Sequence, residues 1–253
     1  MRFVDMHCHL DLMANGPEVA SEAAAIELGI LNASVAPRDY LAARDAYRNS
    51  PTVRCAAGLH PWWIDDDTCD DADVDILVRE LEHTPFVGEI GLDYGKRHGG
   101  SAEAQRAAFD RIVRTCAEHP LPGRVLTIHA VHAANEVLDV LERYDLPRTA
   151  ACIIHWFSGT SNELSRARSL GCLFSVNEFM LQTRRGREYA RQIPPDCLLL
   201  ETDLPADRGP GSAKALAASL ERTLAAIAEL KGVDTAQLGQ QVCAHSCQLL
   251  DIV

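Results

Sequence analysis

A (β/α)8 TIM barrel, one domain spanning residues 1–253, is the fold class this sequence predicts, and three observations lead to it. Eight short apolar runs alternate with segments of helical spacing from one end of the chain to the other. Several runs are continuous rather than alternating, as strands covered on both faces are. Histidines and acids stand at the C-terminal ends of at least six runs, the first, third and last among them. A closed parallel ring brings such ends together, whereas an open doubly wound sheet would leave them ~25 Å apart at about 4.8 Å per strand.

The elements follow in order. Phe3–His9 is the first predicted strand, entered at once from the N-terminus, and Pro17–Leu28 the helix after it. Gly29–Ala36 and Val53–His60 are the next strands, separated by helical spacing over Arg38–Asn49. Val74–His83 predicts a helix before the strand Phe86–Asp93, and Ala102–Glu118 a longer one after it. Strands Val125–His129, Ala151–Trp156, Cys172–Val176 and Cys197–Asp203 complete the eight. Helices over Ala133–Tyr144, Ser161–Ser169 and Arg184–Gln192 lie between them, with Ala213–Leu230 and Thr235–Leu250 at the end. Pro51, Pro85, Pro120, Pro122, Pro147 and the Pro194-Pro195 pair all fall between elements. No stretch reads as a linker or a fixed-period repeat.

Composition narrows the functional classes. The chain is 47% hydrophobic and 24% charged, a soluble globular profile, with no run long enough to span a membrane and no signal peptide. The expected location is the cytoplasm. The nine cysteines have no Cys-x-x-Cys spacing and read as reduced, mostly core residues. Net charge is −12, which weighs against a protein that coats nucleic acid but not against an enzyme gripping a few phosphates through bound cations. The acids Asp65-Asp66-Asp67 and Asp70-Asp71 read as a solvated surface loop.

The polar strand ends carry the chemistry. His7 and His9 have i, i+2 spacing, which puts both imidazoles on one face of a strand, where they can chelate a divalent ion. Asp5 is placed to orient one ring, and Cys8 should point the other way. Glu89, between Gly88 and Ile90-Gly91, is an acid in an apolar run, costly to bury unless paired or metal-bound; its carboxylate can bridge two cations. Asp93 is a candidate ligand, water holder or supporting partner. His129 and His155 close successive strands and suit a second metal; His132 belongs to the loop beyond. Asp203 ends LLLETDLP, where it can touch a metal and accept a proton from bound water, while Glu201 is expected to pair with an arginine outside the barrel mouth.

Taken together, Asp5-Met-His7-Cys-His9-Leu, Gly58-Leu-His60-Pro61, Gly88-Glu-Ile-Gly-Leu-Asp93, Gln105-Arg-x-x-Phe109, Ile128-His129-Ala, His155-x-Phe-Ser-Gly159 and Glu201-Thr-Asp203-x-Pro205 resemble the motifs of the TatD family of metal-dependent hydrolases, within the amidohydrolase superfamily. The resemblance implies a barrel with two or three divalent ions of the Mg, Zn or Mn kind. By the family's pattern His7, His9, Glu89 and Asp203 hold one ion, Glu89, His129 and His155 the other, and His60 faces substrate phosphate or a third ion. It implies a deoxyribonuclease of the 3′–5′ exonuclease type acting on single-stranded or frayed DNA ends. Asp203 and Glu89 are then the catalytic acids, and His60, Asp93 and Arg208 the substrate contacts. Two departures touch phosphate-gripping positions. The long basic loop after the Glu-Thr-Asp-x-Pro motif is reduced to Ala206–Gly211 with Arg208 its only base, and Val131-His132 replaces an Arg-Asp. They leave room for hydrolysis of a small amide, ester or lactone instead, or for a non-catalytic partner-binding subunit on the same scaffold.

Overall fold

The computed structural model describes residues 1–65 and 68–252. Its eight strands are β1 (Phe3–Cys8), β2 (Leu28–Ala33), β3 (Val53–Ala56), β4 (Phe86–Asp93), β5 (Val125–Val131), β6 (Ala151–His155), β7 (Leu173–Val176) and β8 (Leu198–Leu200). The helices between them are α1 (Gly16–Ala25), α2 (Pro37–Tyr47), α3 (Pro61–Asp65), α4 (Asp71–Leu81), α5 (Ala102–Glu118), α6 (Ala134–Arg143), α7 (Ser161–Ser169), α8 (Glu178–Leu181) and α9 (Arg184–Gln192). Two more, α10 (Ala213–Lys231) and α11 (Thr235–Leu250), follow the last strand.

All strand pairs are parallel, in the order β1-β2-β3 and β4 through β8. Main-chain bonds join the two arcs into a ring. On one side Ala57 N–H donates to Phe86 O (3.0 Å) and Leu59 N–H to Glu89 O (2.9 Å). On the other, Asp203 N–H donates to His7 O and His9 N–H to Leu204 O, both at 2.9 Å. The predicted barrel is the observed one.

Two apolar layers hold it. A small cluster joins Val4, Met6, Leu31, Ala56, Val125, Ile153 and Leu199, contributed by six strands, with Leu250 and Ile252 from the chain's end. Residues from so many strands touch only inside the ring, so the tail plugs the end opposite the site. Arg54 fixes that plug by donating to Leu250 O (3.0 Å) and Asp251 O (2.6 Å). The larger cluster lies between strands and helices and includes Phe109, Phe174, Leu77 and Leu81. Cys8 belongs to it, facing away from the cavity as expected.

The strands end earlier than the sequence suggests. His9, Ala36, His60, Trp156 and Asp203 lie beyond β1, β2, β3, β6 and β8; at His9, Trp156 and Asp203 the backbone leaves extended geometry, whereas Ala36 stays extended as the cap of α2. Asp203 (φ 57°) and Trp156 (φ 39°) are in the left-handed region. Short helices α3 and α8 break what read as loops. Asp70 and Asp71 form no loop either: Asp70 caps α4, accepting from Ala72 N and Asp73 N, so these acids sit at the positive end of a helix. Asp66 and Asp67 lie outside the described residues.

Candidate metal centre

Five imidazoles and three carboxylates converge at the C-terminal mouth of the barrel, delivered from the strands or from the turns just beyond them. The delivery is tightest at β4. Gly88 (φ 139°) and Gly91 (φ 143°) adopt backbone angles that side chains resist, and a Cβ on Gly91 would stand 2.0 Å from His129 O. The close approach shifts the β4–β5 register between Val87 and Ile90 and turns Glu89 into the ring. Gln105, from the Gln-Arg-x-x-Phe motif on α5, accepts from Asp93 N–H (2.8 Å) and donates to Asp93 O (3.1 Å), pinning the end of the same strand.

Glu89, 2% exposed, lies at the middle, and its two oxygens face different groups. Oε1 is 2.9 Å from His129 Nδ1, 2.9 Å from His155 Nε2 and 3.1 Å from His60 Nε2. Oε2 is 3.3 Å from His7 Nε2 and 3.6 Å from His9 Nε2. Asp203 Oδ1 joins the second group, 3.2 Å from His9 Nε2 and 3.6 Å from His7 Nε2. A carboxylate between two sets of nitrogens is the arrangement a bridging ligand needs. His7, His9 and Glu89 form one trio within a single ion's reach, and His60, Glu89 and His129 another. His7, His155 and Glu201 are also close enough, but both Glu201 oxygens are already taken, by Ser175 Oγ–H and by Asn177 Nδ2–H at 2.7 Å.

The rings are held from behind. His9 Nδ1 is 2.7 Å from Ala33 O; a carbonyl only accepts, so Nδ1 carries a proton and Nε2 is the nitrogen turned to the carboxylates, free to ligate once it is deprotonated. His7 Nδ1 meets Thr127 Oγ1 at 2.6 Å. Asp93 Oδ2 lies 3.3 Å from His129 Nε2 and accepts from Trp62 Nε1–H at 2.6 Å. Asp5 supports the chain instead of a ring, accepting from Thr202 N–H (2.9 Å) and Thr202 Oγ1–H (2.6 Å). Burial pushes its pKa up to about 7, although those Thr202 bonds pull the other way.

The electrostatics ask for cations. Burial pushes the Glu89 carboxyl up, but His60, His155, His7 and His129 hold it well below the usual carboxylate range. Burial likewise opposes charge on Asp203 and Asp93, and their histidine partners still hold both ionised. At His9 burial is outweighed by Asp203 and Glu89, which lift its pKa to about 9. His155 and His129 are raised against burial by their carboxylate neighbours, whereas burial lowers His7 and His60. A cavity of about 610 Å3 opens above, lined by His9, His60, Glu89, His129, His155 and Asp203 with Trp62, Trp156 and Phe179, and, among the described residues, by no lysine or arginine. The buried acids therefore lack a permanent positive partner, and the His/carboxylate donor set fits divalent metal ions.

The structure thus brings together seven predicted residues, with Asp93 beside them. His60 is buried, touches Glu89 and lines the cavity. Arg208 is exposed on its loop and does not line the cavity. Glu201 corrects its expectation: among the described residues its partners are Ser175, Asn177 and His155, not an arginine. It is fully buried inside the ring, with Oε1 3.6 Å from His155 Nδ1, because the chain turns only at Asp203 and leaves Glu201 facing inward. Thr127 and Trp62 had no signal in the sequence, since each reaches a partner far from it along the chain.

Comparison with known proteins agrees with the motifs. A family described as TatD related DNase matches residues 4–251. A protein named 3′-5′ ssDNA/RNA exonuclease TatD from Pantoea ananatis is 30% identical over 206 residues, covering 78% of this chain and 77% of that one. Deoxyribonuclease Tat-D of Schizosaccharomyces pombe is 34% identical over 120 residues, 47% of this chain but 37% of that protein's length. The crystal structure of YjjV, a TatD homologue from Escherichia coli K12, superposes with a TM-score of 0.82 at 25% identity, over 100% of this chain and 99% of that one. The chain belongs to the TatD family of metal-dependent hydrolases.

Proposed function

We propose that this protein is a divalent-metal-dependent deoxyribonuclease that removes nucleotides from the 3′ end of unpaired DNA. The observation that carries the proposal is Glu89, buried, whose two oxygens face separate histidine groups beneath a cavity that no lysine or arginine lines among the described residues. His7, His9, Glu89 and Asp203 would hold one ion, and Glu89, His129 and His155 the other. His60, at the Glu89 Oε1 side, is placed for a third ion or a substrate phosphate. Cations held there would supply Lewis acidity, lowering the pKa of water and neutralising charge on a phosphodiester. The ligand set accepts Zn, Mn, Co or Ni, and Mg by family use.

The protein's own part is proton handling and positioning. Asp203 is the proton acceptor: its side chain keeps 17% exposure against 3% for Glu89, so it can meet water, and its histidine neighbours keep it ionised. Glu89 fixes the spacing of the two ligand groups. Asp93 holds His129. The carboxylates lie at the bottom of the cavity, so a scissile phosphate reaches them only if its strand leaves the duplex, which favours single-stranded or frayed ends. Exposed Lys96 and Arg97 precede His98, which stacks on the cavity-lining Trp62. We assign these two cations to substrate phosphate in place of the shortened loop around Arg208. Nine free thiols, with no helix long and apolar enough to cross a membrane among the described residues, support action in a reducing cytoplasm.

The test is metal analysis of the purified protein with a 5′-labelled single-stranded oligonucleotide under Mg, Mn, Zn, Co and Ni. The expected result is a ladder shortening from the 3′ end, abolished by EDTA, with a blunt duplex resistant. An oligonucleotide left intact under every ion sinks the nuclease reading. Turnover of small esters or lactones under those conditions would support a small-molecule hydrolase, a reading favoured by the largely apolar cavity lining and the remote Arg208.

A further inference from the structure

The large apolar side chains most exposed among the described residues are Val233 at 45%, Trp62 at 41%, Trp156 at 37% and Phe179 at 36%. Three of these four line the one cavity that holds the candidate metal centre. Water-facing aromatic surface is costly to keep without a use, and its concentration at one mouth points to a ligand with flat faces. Trp156 and Phe179 already lie nearly parallel, centroids 5.6 Å apart and planes 21° apart. Trp62 projects from α3, after β3, and the pair follows β6 and β7, so in an eight-strand ring they stand on nearly opposite sides of the mouth.

The mounting is rigid. Trp156 follows His155 directly and holds φ at 39°, a left-handed conformation that a bulky side chain adopts only when its surroundings enforce it. Its N–H donates to Ser175 O at 3.2 Å. Phe179 rides on α8, whose cap Asn177 accepts from Met180 N–H and donates to Glu201, the carboxylate behind His155. Trp62 is fixed by its bond to Asp93 and by stacking on His98 at 4.8 Å. All three rings are therefore tied to residues that buttress metal ligands, and little side-chain freedom remains to be lost on binding.

We infer that this aromatic rim grips the substrate by base stacking, with Trp156 and Phe179 as the platform for the base beside the scissile phosphate and Trp62 as the contact for a second base across the mouth. The inference rests on the nuclease reading and adds what that reading leaves open: how an acidic protein holds a polyanion. Stacking offers a face to every base and so provides grip without sequence preference.

The test is a double-perturbation cycle on the full metal-loaded chain. Wild type, Trp156→Ala, Trp156→Phe and Phe179→Ala are titrated with a short single-stranded oligonucleotide, and with the same strand carrying an abasic residue at each of its last three 3′ positions. Binding is read by tryptophan fluorescence quenching, cleavage by product length. One abasic position should weaken wild-type binding by about 5- to 150-fold, the range expected for base–aromatic stacking. In Trp156→Ala the same base removal should change affinity less than twofold, and Trp156→Phe should restore most of the dependence. Affinity indifferent to every abasic position, or losses that multiply independently in the variant, overturns the stacking role. Cleavage with base-independent binding overturns stacking alone; base-dependent binding with no cleavage under any ion supports stacking and overturns the nuclease reading alone.

Discussion

Loading the centre with metal should expel protons, and His9 sets the scale. In metal-free protein Asp203 and Glu89 outweigh burial there and hold the pKa at about 9. At pH 7 the ring is an imidazolium, and it must shed its proton before Nε2 can serve as a ligand. The two pK units between pH 7 and about 9 correspond to ~2.7 kcal/mol, so His9 alone should weaken apparent metal affinity ~100-fold at pH 7 relative to pH above 9. His129 and His155, also raised, act in the same direction. Titration calorimetry of metal-free protein in buffers of different ionisation enthalpy counts the protons released, and His9→Gln should lower the count by one. The sign for stability follows from linkage. A group raised from its unfolded value near 6.5 stabilises in full below that value and loses the effect as pH rises through about 9. The metal-free protein should therefore melt lower at pH 9.5 than at pH 6.5. The metal-loaded protein, whose His9 carries no proton, should not show this loss. Metal binding without proton release, and a Kd flat from pH 7 to 9, would refute the argument.

Four substitutions test other links. Asp203→Asn should lower kcat by about 10²- to 10⁴-fold, the usual weight of a general base, with bound metal confirmed by elemental analysis; full activity would remove Asp203 as proton acceptor. Glu201→Gln keeps the shape behind His155 but not the charge, and should weaken metal affinity about 10- to 100-fold by competitive chelator titration. Gly91→Ala puts a methyl 2.0 Å from His129 O at φ 143°, so the thermal midpoint and metal stoichiometry should fall together. Arg124→Met removes a buried guanidinium bonded to Leu81 O and His119 O near the C-terminal ends of α4 and α5. Each orphaned carbonyl costs about 1–3 kcal/mol, so denaturant melts should shift by that order while metal stoichiometry stays constant.

The barrel was legible because strands buried on both faces must be apolar along their length, and all eight such runs became strands. The ligands were legible because the acids and histidines closing those runs had no apolar reason to be there. Their supports were not. Thr127 meets His7 only because β5 faces β1 through the interior, and nothing near either residue encodes that pairing. Glu201 alternates with Asp203, but which way it faces depends on where the backbone turns, and the left-handed angle at Asp203 is not written in residue type alone. Trp62 looked like part of a loop because α3 is a single short helix whose stability comes from packing rather than from its own sequence.

The bonds that close the ring between its first and last strands run from Asp203 N–H to His7 O and from His9 N–H to Leu204 O. The closing seam of the barrel is thus stitched by the residues proposed to share an ion, and the His9–Asp203 contact spans 194 positions in sequence. An ion held by both would act as a clasp on a loop that is most of the polypeptide, joining parts that only the finished ring aligns. A half-assembled barrel owns His7 and His9 but has no carboxylate from the far strand to complete the set. With the ligand set proposed above, hydrolytic competence would arrive only with closure of the ring.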